Sequence, residues 1–130
     1  MFTVGDQFEQ NFVVSDATYL GFVSIFKDQN PLHTNSEFAI NKGFKDKVMH
    51  GNILNGFLSY FIGECLPTKD VIIHLQEIQF KNAVYLNDTL QFKAEITGFY
   101  ESVNAVEFKF TFKRENTVMA KGKIQIGILS

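Results

Sequence analysis

Thr89-Leu90-Gln91-Phe92-Lys93-Ala94-Glu95-Ile96 alternates without a fault: Leu90, Phe92, Ala94 and Ile96 point one way, and Thr89, Gln91, Lys93 and Glu95 the other. A period of two marks a strand with one buried and one wet face. The pattern repeats downstream. Val106, Phe108, Phe110 and Phe112 alternate with Glu107, Lys109, Thr111 and Lys113, and a tight Glu115-Asn116 turn leads to Val118, Ala120, Gly122, Ile124, Ile126 and Ile128. Three long strands in succession predict an antiparallel meander with one apolar face.

Working outward, residues 71–80 are rich in Ile and Val and predict a fourth strand, its period blurred around His74 and Gln76; residues 8–14 predict a fifth. An apolar sheet face needs a cover. Residues 50–66 supply it as a helix whose Ile53, Leu54, Phe57, Leu58, Phe61 and Ile62 occupy much of the circumference, so the sheet is expected to wrap a helix buried on most sides. Gly56, Ser59 and Gly63 share one face of that helix. Small residues there allow either tight packing or the approach of another backbone or a ligand. Between the first strand and this helix, Ser15 can cap a short helix through Tyr19, Phe22, Ile25 and Phe26. Asn30-Pro31 opens another, running through Glu37, Phe38 and Ile40 to Gly43.

A chain of 130 residues with no repeat or linker predicts a single domain over residues 1–130. Its 45% hydrophobic content is ordinary globular composition without an uninterrupted apolar run long enough for a bilayer. The 15 Phe sit beside a single Arg, Arg114, and many Ile, Asn and Lys, as AT-rich coding produces, and most are expected in the core. A net charge of -2 without a basic stripe argues against nucleic acid and anionic membranes as partners and for a small molecule. With no secretory start and one cysteine, Cys65, which reads as a structural thiol, the expected setting is the cytoplasm.

Two stretches carry chemistry. In Asp28-Gln29-Asn30-Pro31-Leu32-His33 a carboxylate and an imidazole flank a proline that keeps Asn30 out of the helical region. His33 then falls in a first helical turn, where the dipole favours a neutral ring able to hold a water. Asp28 accepting a proton from that water would make the pair a base that later returns it as an acid. On spacing alone, an Asp and a His in such a loop are more often a turn former and a surface residue. In Val48-Met49-His50-Gly51-Asn52, at the mouth of the long helix, the first N–H groups lack helical partners and Gly51 leaves room for a carbonyl oxygen to reach them. Gly51 also serves simply to open the turn. HExxH, CxxC, GxGxxG and Walker patterns are absent, and Gly56-Phe57-Leu58-Ser59-Tyr60 is not a nucleophile elbow, so metal, nucleotide and covalent readings lose their usual support.

Taken together, the 28–33 stretch, Glu37-Phe38-Ala39 with Gly43-Phe44, and Val48-Met49-His50-Gly51 resemble the hydratase motif of MaoC-like (R)-specific enoyl-CoA hydratases, in order and in spacing. The resemblance continues through Leu66-Pro67 and residues 80–97. It implies an α+β hot-dog fold, a curved antiparallel sheet around a central helix, with an overhang at about residues 14–46. It also implies a homodimer with its substrate tunnel at the interface, and reversible hydration of a trans-2-enoyl thioester to the (R)-3-hydroxyacyl product. On that resemblance Asp28 and His33 activate water and Gly51 binds the thioester oxygen. Asn30 helps hold the loop and, with His50, Asn52, Ser59 and Ile62, belongs to the substrate-binding set. No metal or redox cofactor is expected; coenzyme A or acyl carrier protein is the substrate's carrier. Asn52 departs from the Met usual there, and Thr34-Asn35 from an apolar-acidic pair. A hot-dog thioesterase and a non-catalytic acyl-binding module are the alternatives.

Overall fold

A computed structural model describes residues 1–130. Its elements run β1 (Gln7–Val13), α1 (Asp16–Phe26), α2 (Pro31–Thr34), α3 (Ser36–Asn41), α4 (Asn52–Glu64), β2 (Val71–Phe80), β3 (Thr89–Tyr100), β4 (Ala105–Arg114) and β5 (Thr117–Ile128). The strands form one antiparallel sheet in the order β1-β3-β4-β5-β2. The alternation read from the sequence decides its faces. Leu90, Phe92, Ala94 and Ile96 are buried while Thr89, Gln91, Lys93 and Glu95 are exposed, and cross-strand register places Phe92 opposite Phe112, Ala94 opposite Phe110 and Ile96 opposite Phe108.

The concave face of this sheet closes on α4, whose Ile53, Leu54, Leu58, Phe61 and Ile62 are buried. Phe61 meets Phe8, Phe92 and Phe108 with ring centroids 4.8–5.7 Å apart, so much of the phenylalanine excess is core. Each fully buried ring of this kind stabilises the fold by roughly 1.5–3 kcal/mol relative to an exposed one. The result is the hot-dog architecture.

Three local features refine the sequence reading. The blurred period in β2 is a register shift against β5 between Ile73 and Leu75. A bulge there turns His74 out of the ladder's regular alternation. The expected single helix after Asn30 is two, because Asn35 is extended (φ -128°, ψ 107°) and its side chain accepts from the Phe38 N–H, capping α3 separately. And α4 is not covered all round: Gly56, Ser59, Tyr60 and Gly63 form an exposed face.

Candidate active site

The overhang is built from caps. Ser15 Oγ accepts from the Thr18 N–H to start α1, and Lys27 in the left-handed region (φ 61°) ends it. The chain then turns at Asp28, whose Oδ1 accepts from the Asn30 N–H at 3.2 Å. Asn30 Oδ1 in turn accepts from the Leu32 N–H at 3.0 Å and starts α2 with Pro31 in its first turn. His33 is thereby delivered to the segment that leads into α4. The Val48 N–H donates to the Leu32 carbonyl at 3.0 Å, and the His33 Nδ1–H donates to the Val48 carbonyl at 2.7 Å. Nearby, the Ser36 side chain and then the Lys47 N–H hold the Asp46 carboxyl below its usual range.

The bond to Val48 settles the tautomer of His33. With the proton on Nδ1, Nε2 carries a lone pair, and Nε2 is not sealed from solvent. A four-residue helix has almost no dipole, so the main-chain acceptor and not the helix end fixes the ring. Tyr19 steadies the same residue, its hydroxyl donating to the His33 carbonyl at 2.6 Å.

Gly51 precedes α4, and neither its N–H nor that of Asn52 donates to a group in the chain. A Cβ at Gly51 would lie 2.9 Å from Cε1 and Cζ of Phe80, so glycine is what lets the ring rest against the helix mouth.

These groups border two clefts. One, of about 430 Å³, is lined by His33, Val48, Gly51, Asn52, Phe80 and Val84 among others. The second, of about 820 Å³, runs between α1 and α4 and is walled by Phe22, Ile25, Phe26, Ile53 and Phe57, with Asp28 at its edge. Asn52 lines both. Its Oδ1 accepts from Asn55 Nδ2 at 2.8 Å, and Asn55 Oδ1 accepts from Gln76 Nε2 at 2.7 Å, a polar relay back to β2.

Asp28, His33, Gly51 and Asn52 therefore line these clefts, whereas Asn30, expected with the substrate-binding residues, lines neither and serves the turn that carries Asp28 and starts α2. Others lie elsewhere. His50 borders neither cleft and is 2% exposed; its Nε2–H donates to the Asp28 carbonyl at 2.9 Å. Ser59 is on the open face of α4 and Ile62 is in the core, and neither lines a cleft. Sequence reasoning missed the Val48 carbonyl, Tyr19 and Phe80: a main-chain acceptor leaves no mark in composition, and an aromatic partner from a distant element has no local pattern. Donor atoms of Asp28, His33 and His50 lie within 4.8 Å of one another, a set able in principle to hold a metal ion. One nitrogen of each ring is already given to a main-chain carbonyl, and the other nitrogen of His50 is sealed. Only His33 Nε2 and the Asp28 carboxylate face open space, too few protein ligands for a closed metal site. Cys65 is half-buried, and burial with Glu64 beside it raises its thiol above the ordinary value, the state of an unreactive thiol.

Comparison with known proteins places the chain in a family and gives its fold. An (R)-specific enoyl-CoA hydratase of Rhodospirillum rubrum is 28% identical over 113 residues, 87% of this chain and 78% of that protein. A protein of the same name from Aeromonas caviae is 32% identical over 85 residues, 65% of this chain and 63% of that one. The solved (R)-hydratase from A. caviae involved in PHA biosynthesis superposes with a TM-score of 0.89 at 23% identity, covering 98% of this chain and 97% of that one. The family model of the MaoC like domain matches residues 3–118, and the chain belongs to that family.

Proposed function

We propose that the protein is a hydro-lyase that reversibly hydrates a trans-2-enoyl thioester to its (R)-3-hydroxyacyl form. The observation that carries this reading is the His33 Nδ1–H bond to the Val48 carbonyl. It presents a fixed Nε2 lone pair at a cleft shared with the free Gly51 N–H, with Asp28 alongside. A water held by His33 Nε2 gives a proton to Asp28 as its oxygen bonds to C3, and Asp28 returns the proton to C2. The negative charge that builds on the thioester oxygen meets the Gly51 N–H at the mouth of α4. The apolar cleft between α1 and α4 takes the acyl chain.

The carrier is anionic, coenzyme A or acyl carrier protein. Lys81 lines the His33 cleft, and Lys42, Lys45 and Lys47 follow one another towards Val48 with their ammonium groups over Phe38, Tyr85 and Tyr19 at 5.4, 5.7 and 4.9 Å. A second copy of the chain covers the open face of α4, where Gly56 and Gly63 have nothing within 4 Å of an added Cβ. Crotonyl-CoA tests the reaction. Enoyl absorbance should fall without thiol release, and Asp28→Asn and His33→Ala should each lower turnover about 100-fold or more while leaving the fold intact. Wild-type rates in either folded variant would remove the site assignment; thiol release would mark a thioesterase instead.

A further inference from the structure

His50 is the buried polar side chain of the core, and the hydration scheme makes no use of it. Its ring lies between the two residues that scheme depends on. On one edge, Nε2–H donates to the Asp28 carbonyl at 2.9 Å and stands 4.0 Å from Asp28 Oδ2. On one face, it stacks on His33 with centroids 4.1 Å apart and planes at 29°. Phe22, at 4.6 Å, and Tyr19, at 6.0 Å, complete its surroundings.

The other nitrogen, Nδ1, is sealed from solvent and has no partner. A phenyl ring would fill the same space without leaving a polar atom unpaired. What a phenyl ring lacks is the donor on the opposite edge. The orphaned Nδ1 is therefore the by-product of a side chain kept for its Nε2–H. That donor has work to do, because Asp28 lies in the connection between α1 and α2, its side chain is 49% exposed, and its carboxylate is otherwise tied only to the Asn30 N–H.

We propose that His50 is a positioning residue: it clamps the Asp28 main chain and backs the His33 ring, setting carboxylate and imidazole at a fixed separation around the water. The kinetic consequence rests on the hydratase reading; the structural one rests on geometry alone, so the experiment reads both. His50→Phe keeps the ring and removes the donor, whereas His50→Gln restores an N–H donor without the ring, and His50→Met matches Gln in shape without a donor. In the full chain, 15N relaxation order parameters at Asp28 and Asn30 should drop from about 0.85 to below about 0.6 in the Phe and Met variants and stay high in the Gln variant. With crotonyl-CoA, kcat should fall about 100-fold in Phe and Met with KM within about threefold, the scale of a misplaced catalytic group, and recover at least about tenfold in Gln.

Unchanged order parameters and kcat in a folded His50→Phe protein would overturn the proposal, as would Gln and Met variants impaired alike. Should His50→Phe fail to fold, the Gln and Met pair makes the same comparison. A wild-type protein that leaves crotonyl-CoA untouched would sink the hydratase reading while the relaxation data still decided the role of His50.

Discussion

Gly51 answers to two neighbours at a single Cα. Its N–H is free to meet a substrate oxygen, and the Phe80 ring occupies the space a Cβ would need, 2.9 Å away. Phe80 is 52% exposed, so its ring can swing aside at small cost to stability. It would swing within the cleft it lines. Gly51→Ala is therefore expected to melt within a few degrees of wild type but to turn over about tenfold or more slowly, as misplaced substrates do. Steady-state kinetics beside a thermal melt checks this, and removing the ring in Gly51→Ala/Phe80→Ala should not restore turnover if the methyl group itself obstructs the thioester. At this scale the sequence carried a good deal. Asp28, His33 and Gly51 stand out because their chemistry depends on side-chain type and spacing. His50 was read from the sequence as lying on the substrate and is instead buried behind the site, since burial depends on Phe22 and Tyr19 arriving from another helix.

Elements translate those residues into geometry, and α2 is the shortest of them. Four residues cannot sustain a helix on propensity; the Asn30 cap, Pro31 and the tie from the Val48 N–H to the Leu32 carbonyl hold it. Asn30→Ala should cost about 0.5–2 kcal/mol, the usual loss for such a cap, seen as a lower midpoint in urea, and Asn30→Ser should recover most of it. Equal midpoints for the Ala variant and wild type would show that the Val48 tie suffices alone. Caps, turns and strand faces were readable in the sequence because each depends on a few adjacent residues: Ser15 before α1, Glu115 and Asn116 between β4 and β5, the faultless alternation in β3. The split between α2 and α3 was not, although Asn35 is a good N-cap residue, because the Asn30-Pro31 start upstream already offered one helix through to Gly43 and only tertiary placement shows that it stops at Thr34. The bulge at His74 left a trace as a blurred period without revealing which residue stepped out.

For the molecule as a whole, the sheet ends at β2, and that edge is apolar: Ile72, Ile73, Leu75 and Phe80 are all more than a third exposed. An unpaired apolar edge strand invites pairing with another chain. Beside it, the open face of α4 offers small residues for close approach. Sedimentation equilibrium should give twice the mass of the chain, and Gly63→Leu, which fills that face away from the acyl cleft, should shift the equilibrium towards single chains and lower activity with it. A monomer that keeps full turnover at nanomolar concentration would rule out a shared site. No helix is long and apolar enough to cross a membrane. The small-residue face of α4 was readable in the sequence, but the exposed apolar edge of β2 was not, because an apolar residue in a strand looks the same whether its cover is this chain or another. The Val48 and Asp28 carbonyls that hold the two imidazoles belong to the main chain. Any amino acid but proline at position 48 supplies the same oxygen and keeps the N–H tied to Leu32, so as far as these bonds go residue identity there is free to drift. The count of residues between His33 and Val48 is not, and an insertion or deletion in that stretch should be far less tolerated than a conservative exchange at its end.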